Sequence, residues 1–188
     1  MIAALLLAAS FAADFPQAAT TGSNGRLTHA SSFEARGLGE TPEAAATAFL
    51  NQYGEAFGIS PRQKLVVRGG GTAVHLERQI DGLPIFGGDL VVGIGAGNSV
   101  ILVNSSDVPP VNTGTFRYSR RAATAKAIKA VKGTPGEERA VRGWKASGDA
   151  VRPVWRVDLT TNTGDWRLFV DAETGAVLSR NNLRVTNR

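Results

Sequence analysis

Two histidines, His29 and His75, are the only imidazoles in the chain, and no cysteine accompanies them. Zinc hydrolysis of the HExxH kind needs two histidines one helical turn apart with a glutamate between them. Here the two lie far apart in sequence. His29 falls in a stretch rich in Ala, Thr, Ser and Gly, and His75 alternates with Glu77 along a strand pattern, so both read as surface or interface side chains. No G-x-S-x-G elbow occurs, and the lack of cysteine removes thiolate nucleophiles, disulfides and Cys-based metal sites. Gly93-Ile-Gly95-Ala-Gly97 has the outline of a phosphate loop, but Ser99–Val103 after it is a strand pattern where nucleotide binding needs a helix N-terminus, so a hairpin turn is expected. Asp171, Glu173 and Gly175 have the start of a calcium-loop spacing, which no closing glutamate completes. Arg117, Arg120, Arg121, Lys126, Lys129 and Lys132 make one helix basic, yet no aromatic residue interleaves with them to stack on bases. A solvated face or an acidic protein partner remains. The residues therefore predict no catalytic group, no metal, no cofactor and no nucleic-acid partner.

The chain has 188 residues, 43% hydrophobic and 20% charged, with a formal charge of +5, a globular composition. Ile2–Ala9 is continuously apolar and is followed by the small residues Ser10, Ala12 and Ala13, the shape of a secretory signal over residues 1–13. It is too short for the roughly 20 residues that span a bilayer. Residues 14–32 read as a leader or linker. Thr41-Pro42-Glu43 opens a helix in which Ala46, Phe49, Leu50, Tyr53 and Phe57 share a face, with Gly58 as its cap and Ile59 packing back. Strands are expected at 64–68, 73–80, 89–94 and 99–104, with a turn at Asp81-Gly82-Leu83-Pro84. Arg78 shares the face of Val74, Leu76 and Ile80; it marks the end of the core face or pairs with a carboxylate such as Asp89. After a linker at 111–118 the scheme repeats: a helix from the Ser119 cap to about Lys132, then strands at 154–159, 166–170 and 176–179, with a tight turn at 171–175. The expectation is an α+β fold of two small lobes, 33–110 and 119–183, each a helix packed on an antiparallel sheet. Lobes this small bury little surface and gain from docking on a partner.

Two stretches carry a family resemblance. Leu76-Glu-Arg-Gln-Ile-Asp-Gly-Leu-Pro-Ile-Phe-Gly-Gly-Asp-Leu-Val-Val92 resembles the fungalysin/thermolysin propeptide (FTP) motif, and Ala48–Ile59 is similar to the helix that opens such prosegments. Pro153–Val157 and Trp166–Leu178, ending in Asp-Ala-Glu-Thr-Gly-Ala-Val-Leu, resemble a PepSY lobe. The resemblance implies cystatin-like or PepSY-like lobes and a non-catalytic propeptide of a secreted zinc metallopeptidase, acting as intramolecular chaperone and inhibitor. The partner implied is a thermolysin/fungalysin-like metalloprotease domain in cis or in trans, with residues 184–188 leading toward it, a secreted or periplasmic location and no membrane role beyond secretion. The alternatives are a free-standing FTP/PepSY binding protein that acts in trans, and a small-molecule carrier, which would need a closed apolar pocket. Candidate protease contacts are Leu83, Pro84, Ile85 and Phe86 in the turn, Trp155 and Trp166 in the second lobe, and Asn181, Asn182, Leu183 and Arg184 near the end; Ile85, Phe86, Trp155 and Trp166 have core packing as their other explanation.

Overall fold

The computed structural model describes residues 11–23, 25–109, 114–147 and 150–184, and the chain divides at residues 110/111 into two compact units. The apolar run Ile2–Ala9, residues 111–113 of the expected linker and residues 185–188 of the expected tail lie outside the described residues. The architecture is α+β, dominated by antiparallel strands with few helices.

In the first unit, strands β1 (Ala19–Ser23) and β2 (Arg26–Ser31) precede helix α1 (Pro42–Tyr53); β3 (Gln63–Gly69), β4 (Ala73–Ile80), β5 (Leu83–Phe86), β6 (Leu90–Ile94) and β7 (Val100–Ser105) follow. The Thr41 side chain accepts a hydrogen bond from the Ala44 amide at 3.2 Å and Pro42 fills the first helical position, so one orphan donor of the helix end is satisfied and another is absent. A 3₁₀ turn, Gly54–Phe57, extends α1 before the left-handed Gly58 ends it. The spatial order is β1-β2-β7-β6-β4, with β3 and β5 also paired to β4. Period-two alternation buries Val74, Leu76, Arg78 and Ile80 of β4 and Leu90, Val92 and Ile94 of β6. Ala45, Ala46, Phe49, Leu50 and Tyr53 of α1 join Val74, Leu76, Leu90 and Val92 in one core.

Residues 14–32 are no loose leader. β1 and β2 form a hairpin, and β2 joins β7 through His29↔Asn104 and Ala30↔Val103. Phe11 is fully buried, and its ring stands 5.2 Å from Phe15, 5.4 Å from Phe33 and 5.7 Å from both Tyr53 and Phe57. The Tyr53 hydroxyl donates to Asp14 Oδ2 at 2.7 Å. Burial first, then this bond to a carboxylate, pushes the Tyr53 phenol up to about 12. The aromatic cluster thus ties the start of the described chain to α1.

Arg78 is fully buried and does not bond Asp89. Its guanidinium donates to Phe57 O at 2.9 Å, Gly58 O at 3.3 Å and Ser105 Oγ at 2.6 Å. It caps the carbonyls left over where the 3₁₀ turn ends. Burial pushes the guanidinium down to about 10.

In the second unit, helix α2 (Arg120–Ala130) is capped by Ser119, whose hydroxyl accepts from the Ala122 amide at 3.3 Å. Strands β8 (Pro135–Ser147), β9 (Ala150–Thr161), β10 (Gly164–Asp171) and β11 (Val177–Asn182) form an antiparallel sheet in that order. Ala123 and Ala127 of α2 pack on Val157, Leu159, Leu168 and Val170. The long β8 has no counterpart among the expected strands: its charged residues break the apolar alternation, and pairing along β9 from Glu138↔Leu159 to Ser147↔Ala150 makes it. The 171–175 segment is a turn in which Asp171 Oδ1 accepts from the Glu173 and Thr174 amides, both at 2.8 Å.

Candidate interaction surface

The hairpin joining β4 to β5 turns on Asp81 (φ 52°) and Gly82 (φ 73°), the doubly left-handed geometry that suits a two-residue hairpin and favours an Asp-Gly pair. Ile80↔Leu83 and Gln79↔Pro84 pair across it, so the loop is two residues shorter than the expected four-residue segment, and Leu83 and Pro84 already belong to β5. The Gly-Gly pair after β5 has two separate causes. Gly87 sits at φ 76°, and a Cβ on Gly88 would stand 2.9 Å from Ile85 Cγ2. The motif therefore presents Leu83, Pro84 and Phe86 half-buried while turning Ile85 inward, where it is 1% exposed. Ile85 is no exposed anchor.

Of the candidates in the second unit, Trp155 is half-buried against the α2 core and its indole N–H donates to Tyr118 O at 2.8 Å. Trp166 packs on the same core, with the Arg180 guanidinium 5.5 Å from its ring centroid. Asn182 pairs with Trp166 and Asn181 with Arg167 across β10 and β11. Beyond β11, Leu183 is 46% exposed; its amide donates to Asp165 O at 2.6 Å, and Arg184 Nε reaches Asp165 Oδ2 at 3.0 Å. The structure thus gathers Trp166 and residues 181–184 at the edge strand β11, whereas 83–86 belong to the other unit. A strand like β11, paired on one side through β10, carries backbone groups suited to a further extended segment.

Next to that edge a shallow cavity of about 270 Å³ contains Arg139, Asp158, Asp165, Trp166, Arg167 and Leu183 in its lining. Sequence reading missed its polar row, because register alone puts Arg139, Asp158 and Arg167 side by side on three strands. Arg167 Nε donates to Asp158 Oδ1 at 2.7 Å, a bond that raises the guanidinium above its ordinary range, and Arg156 Nε lies 3.3 Å from Asp158 Oδ2. In the first unit, burial works to push the Glu77 carboxyl up, but hydrogen bonds from Arg68 and Gln79 outweigh it and the net shift is downward. His29 bonds Asn104 Oδ1 at 2.7 Å and Ser31 Oγ at 3.0 Å, and His75 lies exposed on β4. Among the described residues no group of His, Asp and Glu could hold a metal ion, and no helix is long and apolar enough to cross a membrane. What the surfaces offer is charge and strand edge, which is binding chemistry.

Comparisons with known proteins fit the two units. Residues 61–106 match the model of the fungalysin/thermolysin propeptide motif, and residues 117–181 match that of the peptidase propeptide and YPEB domain, PepSY. No curated protein matches the chain. Among solved structures it is similar to the Bacillus megaterium YpeB C-terminal domain, at 15% identity over 89% of this chain and 76% of that one, with a TM-score of 0.41. It is also similar to a protein described as a lipoprotein (CD1622) from Clostridium difficile 630, at 13% identity over 76% of this chain and 93% of that one, with a TM-score of 0.30. The chain carries, in this order, a fungalysin/thermolysin propeptide motif and a PepSY domain, a pairing consistent with a propeptide-type module of thermolysin-like proteases.

Proposed function

We propose that this chain is the chaperone and inhibitor of a thermolysin/fungalysin-type zinc metalloprotease domain, acting outside the cytoplasm on a domain to which it is covalently joined. The succession of two propeptide-type domains carries the reading. The β4–β5 hairpin, with Leu83, Pro84 and Phe86, and the β11 edge with residues 181–184 are the contacts. Covering a protease cleft takes an interface of about 1,600 Å², and nanomolar inhibition corresponds to about 12 kcal/mol. Preferential binding to the folding transition state of the protease would speed its folding about tenfold for every 1.4 kcal/mol. Cleavage between the two releases inhibition by removing the high effective concentration of a tethered partner.

The test uses the purified chain and a separately produced thermolysin-type catalytic domain. Slow, tight inhibition and a raised refolding yield of the denatured protease are expected. Absence of both at micromolar concentration would refute the proposal.

A further inference from the structure

The charge of this chain is not evenly divided. Residues 111–188 hold fifteen Lys and Arg against seven Asp and Glu, a formal +8, whereas residues 1–110 hold six against nine, a formal −3. Helix α2 concentrates the excess. It contains no acidic residue, and Arg120, Arg121, Lys126 and Lys129, with Lys132 just beyond it, are all exposed. Among the described residues, the ion pairs of this unit go to Arg117, Arg152, Arg156, Arg167 and Arg184, and none to these five. From Arg120 to Lys129 the helix rises about 14 Å, under two Debye lengths at physiological salt. An approaching anion therefore feels these charges together.

The helix lies beside a shallow depression of about 390 Å³ lined by Arg120, Arg121, Thr124, Ala125, Ile128 and Glu138. Ala125 and Ile128 supply apolar surface and the two arginines a cationic rim. Glu138 is the one carboxylate in it, with no ion pair to either arginine. We infer that α2 is a docking face for an acidic protein segment that sets an apolar side chain beside its carboxylates. The inference rests on the reading of the chain as a binding module and names the chemistry of the surface it meets. The other polyanions fit less well. The helix offers no aromatic platform for bases, and its apolar face, with Ala123 and Ala127, is spent on Val157 and Leu159, leaving only Ala125 and part of Ile128, too little apolar surface to enter a lipid interface.

The experiment uses the full chain and a fluorescein-labelled peptide of alternating Glu and Leu as probe, read by fluorescence anisotropy. The triple variant Arg121→Glu/Lys126→Glu/Lys129→Glu is expected to bind about tenfold or more weakly. The control Arg36→Glu/Arg62→Glu/Lys64→Glu, with the same change in net charge, is expected to stay within about threefold. Raising NaCl from about 50 to about 300 mM should weaken wild-type binding several-fold. Where the glutamate triple does not fold by circular dichroism, Gln at the same three positions serves, with a loss of about threefold expected. Equal losses in helix and control variants, or binding indifferent to salt, would overturn the inference. So would binding of phosphatidylglycerol vesicles or a single-stranded oligonucleotide at least about tenfold tighter than the peptide. Failure to inhibit a protease removes that partner alone and leaves the peptide result standing.

Discussion

Replacing Phe11 by alanine is the sharpest test of the first unit, because this residue lies inside the stretch that reads as a signal peptide and yet is fully buried. Its ring contacts Phe15, Phe33, Phe49, Tyr53 and Phe57 at centroid distances from 5.2 to 6.2 Å, most of them edge-on. Truncating a buried Phe costs about 3–5 kcal/mol through lost transfer energy and the cavity left behind. Aromatic pairs add about 0.5–1.5 kcal/mol beyond area, which favours the upper half of that range. A domain of this size holds about 5–15 kcal/mol in all, so one ring carries a third or more of a typical value. At roughly 4–8 °C per kcal/mol, the midpoint should fall by about 16–40 °C. Calorimetry and near-ultraviolet circular dichroism of the full chain and of Phe11→Ala measure this, with Phe11→Leu as a milder control. Midpoints that differ by less than about 1 kcal/mol in stability would refute the role of Phe11. A cut after Ala13 would remove the same ring, so any processing that leaves this core intact falls N-terminal to Phe11.

Two further outcomes follow from the titration behaviour. The folded state keeps the Tyr53 phenol neutral up to about pH 12, while the unfolded chain releases that proton near pH 10, so the stability it contributes is complete below pH 10 and is lost as pH rises toward 12. Tyr53→Phe should flatten the urea midpoint over that alkaline range; an unchanged slope would contradict a Tyr53 phenol held neutral by burial and the Asp14 bond. Arg78→Met removes the cost of burying a charge but leaves Gly58 O without the guanidinium and Phe57 O with the Ser105 hydroxyl alone at 3.3 Å, at about 1–3 kcal/mol for an orphaned acceptor. A net loss of about 1–3 kcal/mol is expected, and a urea midpoint that is equal or higher would show that the guanidinium does not hold the 3₁₀ end in place.

The elements legible in the sequence are those with strong local signals. Thr41-Pro42 started α1, Ser119 started α2, and period-two alternation located β4, β6 and β7 within a residue. β2 was illegible because only Leu27 and Ala30 mark its inner face, although Asn24-Gly25 is a hairpin signal that could have revealed it. β8 was illegible because Arg139, Arg142 and Lys145 recur every third residue, out of step with a strand's period of two, and its identity comes from β9 beside it. Arg78 and the Arg139–Asp158–Arg167 row share one reason: their partners lie on other elements, and no spacing along a single strand encodes a cross-strand neighbour. Ile85 shows the converse, since the tight Asp81-Gly82 turn fixes which face of β5 looks inward.

The charge division bears on stability as much as on recognition. The α2 core contains Ala123 and Ala127 where most helices place larger side chains, so this helix contributes little apolar area to its own docking. Arg120 and Arg121 stand at the positive end of the helix dipole, and Lys126 and Lys129 stand one turn apart with like charge, each arrangement unfavourable by a few tenths of a kcal/mol or more. A helix with a thin core and uncompensated repulsion is held at a cost that an anionic partner would relieve. Ligand linkage then makes the second unit the more responsive of the two: a partner at about a hundred times its dissociation constant adds about 2.7 kcal/mol. Binding of an anionic partner and the stability of the basic unit are on this account linked, each raising the other.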